Sequence, residues 1–153
     1  MQTARWGPHA WRFLHTVATN YDSENPEHDA VAYAQFFRLL GDTLPCRYCR
    51  ESWREFAAAT PIEPYLCQPQ GLAYWLYLMH NRVNDKLRKQ GLLHTPDPSF
   101  EEVCAFYHGW RADCQRRAGQ PATCRAPRPQ RCAGKTAPRN SPKRRASRAR
   151  PRR

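Results

Sequence analysis

The chain has 153 residues, of which 25 are Lys or Arg and 13 are Asp or Glu, so its formal net charge is +12. The charge is uneven: residues 115–153 carry 14 basic residues and no acidic one, whereas residues 1–114 carry 11 basic and 13 acidic residues. All five Trp, six Phe and seven Tyr also lie before residue 115. The length suits one domain, and only the first 114 residues hold the large side chains that a core needs.

The same sequence argues against a membrane-spanning helix and against a secretory signal. The longest uncharged stretch, residues 64–81, contains Pro and polar residues and falls short of the roughly 20 apolar residues of a membrane span. No apolar segment typical of a secretory signal follows Arg5 and Trp6. We therefore expect neither a membrane-spanning helix nor an export signal.

Seven Cys in such a chain is a high number. In a reducing compartment a high cysteine content indicates redox chemistry or metal binding more often than a structural disulfide framework. The odd number also leaves at least one thiol unpaired within the chain or paired with another chain.

Apolar spacing and capping signals predict helices and no strand, so the expected fold class is all-α. In chain order the predicted helices span residues 6–20, 27–42, 46–59, 71–89 and 99–114. Pro8 suits the first turn of the first helix. Ser99 and Glu102 form a capping box at the start of the last one. The apolar stripe of the second helix is wide enough to contact both the core and another subunit.

The last part of the chain differs in composition from the rest. It consists mainly of Arg, Pro, Ala, Ser, Gln and Lys, with six Pro in residues 115–153. Because it cannot offset its chain entropy by burying apolar surface, we expect residues 1–117 to form the domain and residues 118–153 to be a disordered basic tail. Its cations would bind nucleic acid or another polyanion non-specifically; the alternative is a solubilising end.

The strongest local signal is LPCRYCRESW, which contains Cys46 and Cys49. Pro45 and the helix after it place Cys46 at a helix N-terminus, where the dipole and the free amides lower the pKa of a thiol. Cys49 lies one turn later on the same face, close enough for a disulfide with Cys46. We expect a redox-active dithiol with an exposed attacking sulfur and a partly buried resolving sulfur.

A zinc site is the alternative interpretation of this motif. Cys104 and His108 are four residues apart and would supply the two further ligands that a structural zinc site needs. The protein would then be a non-catalytic, zinc-stapled helical module with a polyanion-binding tail.

A dithiol oxidase also needs a two-electron acceptor, which side chains do not supply, and a flavin is the natural candidate. On the fourth predicted helix His80, Val83, Asn84 and Leu87 share one face. They combine apolar walls with polar anchors, as flavin binding requires. The alternative is that His80 and Asn84 are ordinary polar residues of a helix.

Taken together, three motifs resemble the Erv/ALR family of FAD-linked sulfhydryl oxidases across about residues 5–114. They are W-G-x-x-x-W-x-x-x-H, the C-x-x-C pair and H-N-x-V-N-x-x-L. They stand here as Trp6, Gly7, Trp11 and His15, as Cys46 and Cys49, and as His80, Asn81, Val83, Asn84 and Leu87.

The resemblance implies a four-helix bundle plus a short fifth helix that holds FAD, and a homodimer formed through the first two helices. It also implies that Cys46 exchanges with a protein dithiol, that Cys49 lies against the flavin, and that dioxygen is reduced to hydrogen peroxide. No metal is expected. The implied FAD-binding residues are Trp6, Gly7, Trp11, His15, Tyr48, His80, Asn81, Val83, Asn84, Lys86, Leu87, Lys89, Phe106, Tyr107 and Trp110.

The remaining cysteines depart from the family pattern. Members often tie the loop after the flavin-binding helix to the chain end by a disulfide; Cys114 suits one end, but residues 90–98 contain no Cys. Cys67 is a candidate partner for Cys104 or Cys114, the alternative being buried thiols at Cys67 and Cys104. Cys124 and Cys132 are candidates for a shuttle disulfide, or are incidental.

The compact body with its basic extension most resembles family members encoded by large DNA viruses. This resemblance implies the host cytoplasm or the virion as location, with the mitochondrial intermembrane space as the alternative.

Overall fold

A computed structural model describes residues 3–25 and 28–111, which are helical without strands, as predicted. The helices of this part of the chain are α1 (Thr3–Asn20), α2 (Ala30–Thr43), α3 (Arg47–Ala59), α4 (Glu63–Leu66), α5 (Gly71–Lys89) and α6 (Phe100–His108). None of them has the length and apolar character to cross a membrane. The predicted tail, 118–153, lies outside the described residues, as do Cys114, Cys124 and Cys132.

The bounds of two helices match the prediction closely. Cys46 is the N-cap of α3, which ends at Ala59, and α5 spans Gly71–Lys89. Gly91, with a φ of 69°, is the left-handed residue that follows α5.

Other boundaries differ from the prediction for identifiable reasons. α1 begins at Thr3, so Pro8 lies inside the helix, and the buried residues that hold α1 in place follow it. α2 begins at Ala30, because the Asp29 side chain caps it by accepting the Val31 N–H. α6 ends at His108, earlier than predicted, and Gly109 is its C-cap.

The four-residue helix α4 was not predicted. The segment 61–70 contains three Pro, which indicate a loop. Pro64, however, lies in the first turn of α4, where its missing N–H costs no helical hydrogen bond.

The core lies between α1, α2, α3 and α5. Its largest fully buried side chains are Phe37, Leu72, Trp75, Leu76 and Met79. Trp53 is 3% exposed and meets Trp75 edge-on, with ring centroids 6.0 Å apart. The indole N–H groups of Trp53 and Trp75 donate to the carbonyls of Phe37 and Thr60, each at 2.8 Å. The first bond joins α3 to the middle of α2, and the second joins the C-terminal end of α3 to α5.

The last helix is attached by a smaller apolar cluster. Phe100 and Cys104 on α6 are buried with Ala73 on α5. Before α6, Asp97 accepts from Asn84 at 2.7 Å and pairs with Arg88 at 2.5 Å. The segment between α5 and α6 is therefore held along α5, and the predicted capping box of Ser99 and Glu102 starts α6 from there.

The start of α5 permits no side chain at Gly71. A Cβ added there would collide with the carbonyl group of Tyr65, whereas a Cβ at Gly109 would meet nothing within 4 Å. We expect Gly71→Ala to lower the free energy of unfolding by roughly 1–3 kcal/mol, and Gly109→Ala to change it little. Urea denaturation followed by circular dichroism measures both, and equal stabilities of the two variants would contradict this account of the α4–α5 junction.

Candidate active site

Cys46 and Cys49 lie together at the start of α3 and are both thiols in this structure. A hydrogen bond from the Cys49 thiol, helped by the backbone N–H groups of Cys49 and Tyr48, lowers the pKa of Cys46 against the opposing effect of burial. The helix N-terminus therefore acts on Cys46 as the sequence predicts.

Cys49 has the opposite electrostatic environment. Burial, the hydrogen bond to Cys46 and the charge of Cys46 raise the pKa of Cys49 to about 12, while Lys86 and Arg50 act to lower it. Cys46 is therefore the more acidic thiol of the reduced pair, and Cys49 keeps its proton at physiological pH.

The two cysteines are not exposed in the predicted order, in which Cys46 is exposed and Cys49 is partly buried. Cys46 is only 7% exposed, and Cys49 is half-buried. Arg50, one residue after Cys49, donates to the Leu44 carbonyl in the turn before α3 at 2.5 Å. The N-cap residue of α3 is thus more buried than the cysteine one turn into the helix.

The face of α3 that carries Cys49 continues towards α5 and α1. Ser52, one turn after Cys49, accepts a hydrogen bond from Lys86 Nζ at 2.5 Å. Trp53 lies beside Trp11 of α1, with ring centroids 6.1 Å apart. Through Ser52 and Trp53, the helix that carries the cysteine pair thus contacts the two segments that contain the other predicted motifs.

A row of rings then leads from α1 across α5 to α6. Trp11 stacks on His80 with centroids 3.9 Å apart and planes 10° apart. His80 Nδ1 and His15 Nε2 are 3.0 Å apart in a hydrogen bond. His15 stacks in turn on Tyr107, with centroids 5.0 Å apart. The first and third motifs, 65 residues apart at His15 and His80, thus form one surface.

Both imidazoles in this row are neutral at physiological pH. Burial, and then the neighbouring His80, lower the pKa of His15 to about 3. Burial lowers the pKa of His80 to about 4, although the charge of Asp97 opposes this. One ring therefore donates its N–H to the lone pair of the other, which makes the pair a fixed, uncharged wall.

Beside this wall is a cleft of about 380 Å³ between α1, α5 and α6. Six of the predicted cofactor-binding residues line it: His15, His80, Asn81, Asn84, Phe106 and Tyr107. Its other lining residues, Tyr77, Pro98, Glu102 and Val103, were not predicted. Tyr77 was accessible to sequence reasoning, since it lies one turn before His80 on the same face. The others depend on where α6 packs, which no local pattern shows.

The other predicted cofactor-binding residues lie outside the cleft lining. Trp11 stacks on the lining residue His80, and Trp110 stacks on the lining residue Phe106 with centroids 6.2 Å apart. The indole nitrogen of Trp6 is buried without an acceptor among the described residues. Tyr48 is 72% exposed and faces away from the core. Gly7, Val83, Lys86, Leu87 and Lys89 are also absent from the lining.

A second cleft, of about 370 Å³, lies between α2, α3 and α4. Its inner wall is formed by Phe37, Trp53 and Trp75, and its rim by the ion pair of Arg38 with Glu63. Both indoles already donate to backbone carbonyls, so neither of these two donors is left for a ligand.

The zinc alternative finds no support in the geometry. Within the described part of the chain, no group of three or more His, Cys, Asp or Glu side chains is arranged to hold a metal ion. Cys104 is buried against Ala73 and Phe100 in the α5–α6 cluster, separately from Cys46 and Cys49.

Cys67 is disulfide-bonded and exposed. The alternative of a buried thiol at this position is therefore wrong. Its location in the turn before α5 keeps it at the surface.

The chain was compared with known proteins. The sequence model of the Erv1 / Alr family matches residues 8–103, which include the second and third motifs and, of the first, Trp11 and His15. The mitochondrial FAD-linked sulfhydryl oxidase ERV1 of Saccharomyces cerevisiae is 28% identical over 109 residues, 68% of this chain and 51% of the yeast protein. The chain thus matches about half the length of this relative.

Two other relatives carry similar names. An FAD-linked sulfhydryl oxidase of African swine fever virus is 28% identical over 85 residues, 56% of this chain and 70% of the viral protein. FAD-linked sulfhydryl oxidase ERV1 of Arabidopsis thaliana is 28% identical over 83 residues, 54% of this chain and 42% of the plant protein. With the family match over more than half of its length, and with the cysteine pair and the histidine pair in one site, the chain belongs to the Erv1/Alr family.

Proposed function

We propose that this protein is an FAD-dependent sulfhydryl oxidase that forms disulfide bonds in protein thiols and reduces dioxygen to hydrogen peroxide. The observation that carries this proposal is the continuity of the site. Cys49 shares a helix face with Ser52 and Trp53, Trp53 contacts Trp11, and Trp11 stacks on His80 at the cleft.

The residues of the cleft suit a flavin. The stacked Trp11 and His80 and the ring of Tyr107 provide flat walls, and two Asn side chains provide polar anchors. The neutral His15–His80 pair puts no buried charge against an aromatic ring system. The buried indole N–H of Trp6 is a donor that a bound group could use. When bound, the flavin supplies a two-electron acceptor that passes electrons to dioxygen.

Thiol–disulfide exchange at Cys46 is the step that this chain performs with its own residues. In the oxidised enzyme a substrate thiolate attacks Cys46 Sγ, the Cys46–Cys49 bond breaks, and its electron pair leaves on Cys49 Sγ. A second substrate thiolate then attacks the mixed disulfide, which releases the oxidised substrate and Cys46. Each turnover removes two electrons and two protons from the substrate, which together with dioxygen make one hydrogen peroxide.

The test is an absorption spectrum of the purified protein followed by oxygen consumption with a model dithiol. We expect a yellow protein that absorbs near about 450 nm, as oxidised flavins do, and one hydrogen peroxide per disulfide. Cys46→Ser and Cys49→Ser should both abolish turnover. Only Cys46→Ser should add absorption at longer wavelength, because it leaves the Cys49 thiolate beside the flavin.

A colourless protein containing stoichiometric zinc would contradict the oxidase function. Long-wavelength absorption in Cys49→Ser instead of Cys46→Ser would reverse the roles of the two sulfurs. Cys104→Ser is the matched control, since this buried cysteine lies in the separate α5–α6 cluster, and we expect it to keep turnover.

A homodimer through the first two helices forms part of the proposal. Phe13 of α1 is 58% exposed, and Val31 and Leu39 of α2 are 53% and 56% exposed. Phe13 also contacts Phe36, edge-on at 6.4 Å, so the exposed apolar surface continues from α1 to α2. An apolar surface of this kind is typical of a subunit interface.

Leu39→Asp should convert the dimer to a monomer, because it would bury a carboxylate in the interface. Leu92→Asp is the matched control: Leu92 is 70% exposed, but it follows α5 and belongs to neither α1 nor α2. Light scattering coupled to size exclusion measures the mass of each variant. A parent protein that is monomeric at micromolar concentration, or a dimeric Leu39→Asp, would contradict the interface.

For the basic tail we propose two roles, a polyanion-binding segment and a carrier of the Cys124–Cys132 shuttle disulfide. The composition of residues 115–153 supports the first, since it has 14 basic and no acidic residues. The second is supported only by the spacing of the two cysteines in an Arg-rich segment, where positive charge lowers the pKa of thiols.

Truncation after residue 117 removes 12 of these 14 cations, since Arg116 and Arg117 remain. The truncated protein should keep its fold, lose nucleic-acid binding at low salt, and oxidise a small dithiol at the parent rate. On a folded protein thiol it should be slower, and Cys124→Ser with Cys132→Ser should reproduce that loss while retaining the charge. If the double variant oxidises the folded protein thiol at the parent rate, the shuttle role is wrong and polyanion binding is the remaining role of the tail.

A further inference from the structure

Lys86 is anchored to the helix that carries the redox pair. Its Nζ donates to Ser52 Oγ at 2.5 Å, and Ser52 Oγ donates in turn to the Tyr48 carbonyl at 2.8 Å. Ser52 is only 7% exposed. Since Ser52 lies three residues after Cys49, the two side chains are neighbours on one face of α3. The ammonium group therefore lies at the Cys49 side of the helix.

Two cations act on Cys49, and they differ in position. Lys86 acts on Cys49 from α5, and Arg50 lies next to Cys49 in sequence; both lower the pKa of Cys49. Arg50 is already bonded to the Leu44 carbonyl in the turn before α3. Lys86 is thus the cation directed at Cys49 from the side of the predicted flavin-binding helix.

The need for a cation arises during the exchange step. In the reduced pair Cys46 raises the pKa of Cys49 by a hydrogen bond and by the repulsion of its charge. Once Cys46 is bonded to a substrate sulfur, it has neither a proton nor a charge, and both effects disappear. The pKa of Cys49 then depends on two opposing effects: burial raises it, and the charges of Lys86 and Arg50 lower it.

We propose that Lys86, held in place by Ser52, is the cation that stabilises the Cys49 thiolate as it leaves the Cys46–Cys49 disulfide. This inference rests on the proposed oxidase function and gives Lys86 a different role from the cofactor contact that the family resemblance implies. The electron pair of the broken S–S bond stays on Cys49 Sγ, and Lys86 keeps its proton. A nearby opposite charge favours the charged form of an ionisable group, here the thiolate.

The experiment uses the FAD-loaded protein with Cys46→Ser, which leaves Cys49 without its partner. Lys86→Gln, Lys86→Arg and Arg82→Gln are each added to it. Arg82 is the matched control because it is an exposed cation of the same helix that acts on Tyr65. Two readouts are followed against pH: the long-wavelength flavin absorption, and the rate at which iodoacetamide alkylates Cys49, measured by mass spectrometry.

We expect Lys86→Gln to move the midpoint of both pH titrations upward by about one unit, which is a tenfold slower alkylation below the midpoint. Lys86→Arg should restore most of the effect, and Arg82→Gln should have none. Ser52→Ala, which keeps the cation but frees it, should shift the midpoint in the same direction by a smaller amount.

Unchanged midpoints in Lys86→Gln, or an equal shift in Arg82→Gln, would overturn the proposal. Loss of bound FAD from Lys86→Gln with no shift in the alkylation midpoint would also overturn it, in favour of a cofactor contact. These outcomes are distinct from a failure of the oxidase function, which would show as a colourless, inactive parent protein. Ser52→Ala keeps the test decisive if Lys86→Gln does not fold.

Discussion

The contact of Trp11 with His80, together with the hydrogen bond between His80 and His15, is the constraint on which the rest of the site depends. The three rings join α1 to α5, and each must keep a single orientation so that the stacking and the hydrogen bond can both form. Because burial holds both imidazoles neutral, the hydrogen bond between them needs no counter-ion. Protonating either ring would put a charge into a wall of the cleft.

Charge is distributed asymmetrically on the other side of the site. The helix N-terminus and the Cys49 thiol favour a thiolate at Cys46, while burial disfavours one at Cys49. A reduced pair in this state has the more acidic thiol at Cys46 and keeps the proton on Cys49. Bonding Cys46 to another sulfur removes that bias. The order of events at the two sulfurs can therefore be set by electrostatics within one helical turn.

The cleft is completed by α6, whose buried residues form a cluster separate from the main core. α6 is joined to α5 through a small apolar cluster and through Asp97, which accepts from Asn84 and pairs with Arg88. An Asn that the motif assigns to cofactor binding is therefore also engaged in positioning the segment before α6. The Asn84 side chain therefore links the wall of the cleft to the position of α6, which carries the lining residues Phe106 and Tyr107.

Local patterns in the sequence determined the all-α class, the bounds of α5, the capping box at Ser99 and the placement of Cys46 at a helix N-terminus. Each of these depends on residues within a turn or two of one another. Only the tertiary structure decided that His15 and His80 share a hydrogen bond, that Lys86 contacts Ser52, and that Cys46 is covered while Tyr48 is exposed. These facts depend on how distant helices pack, and helical periodicity gives the face of a residue but not the partner that the face meets.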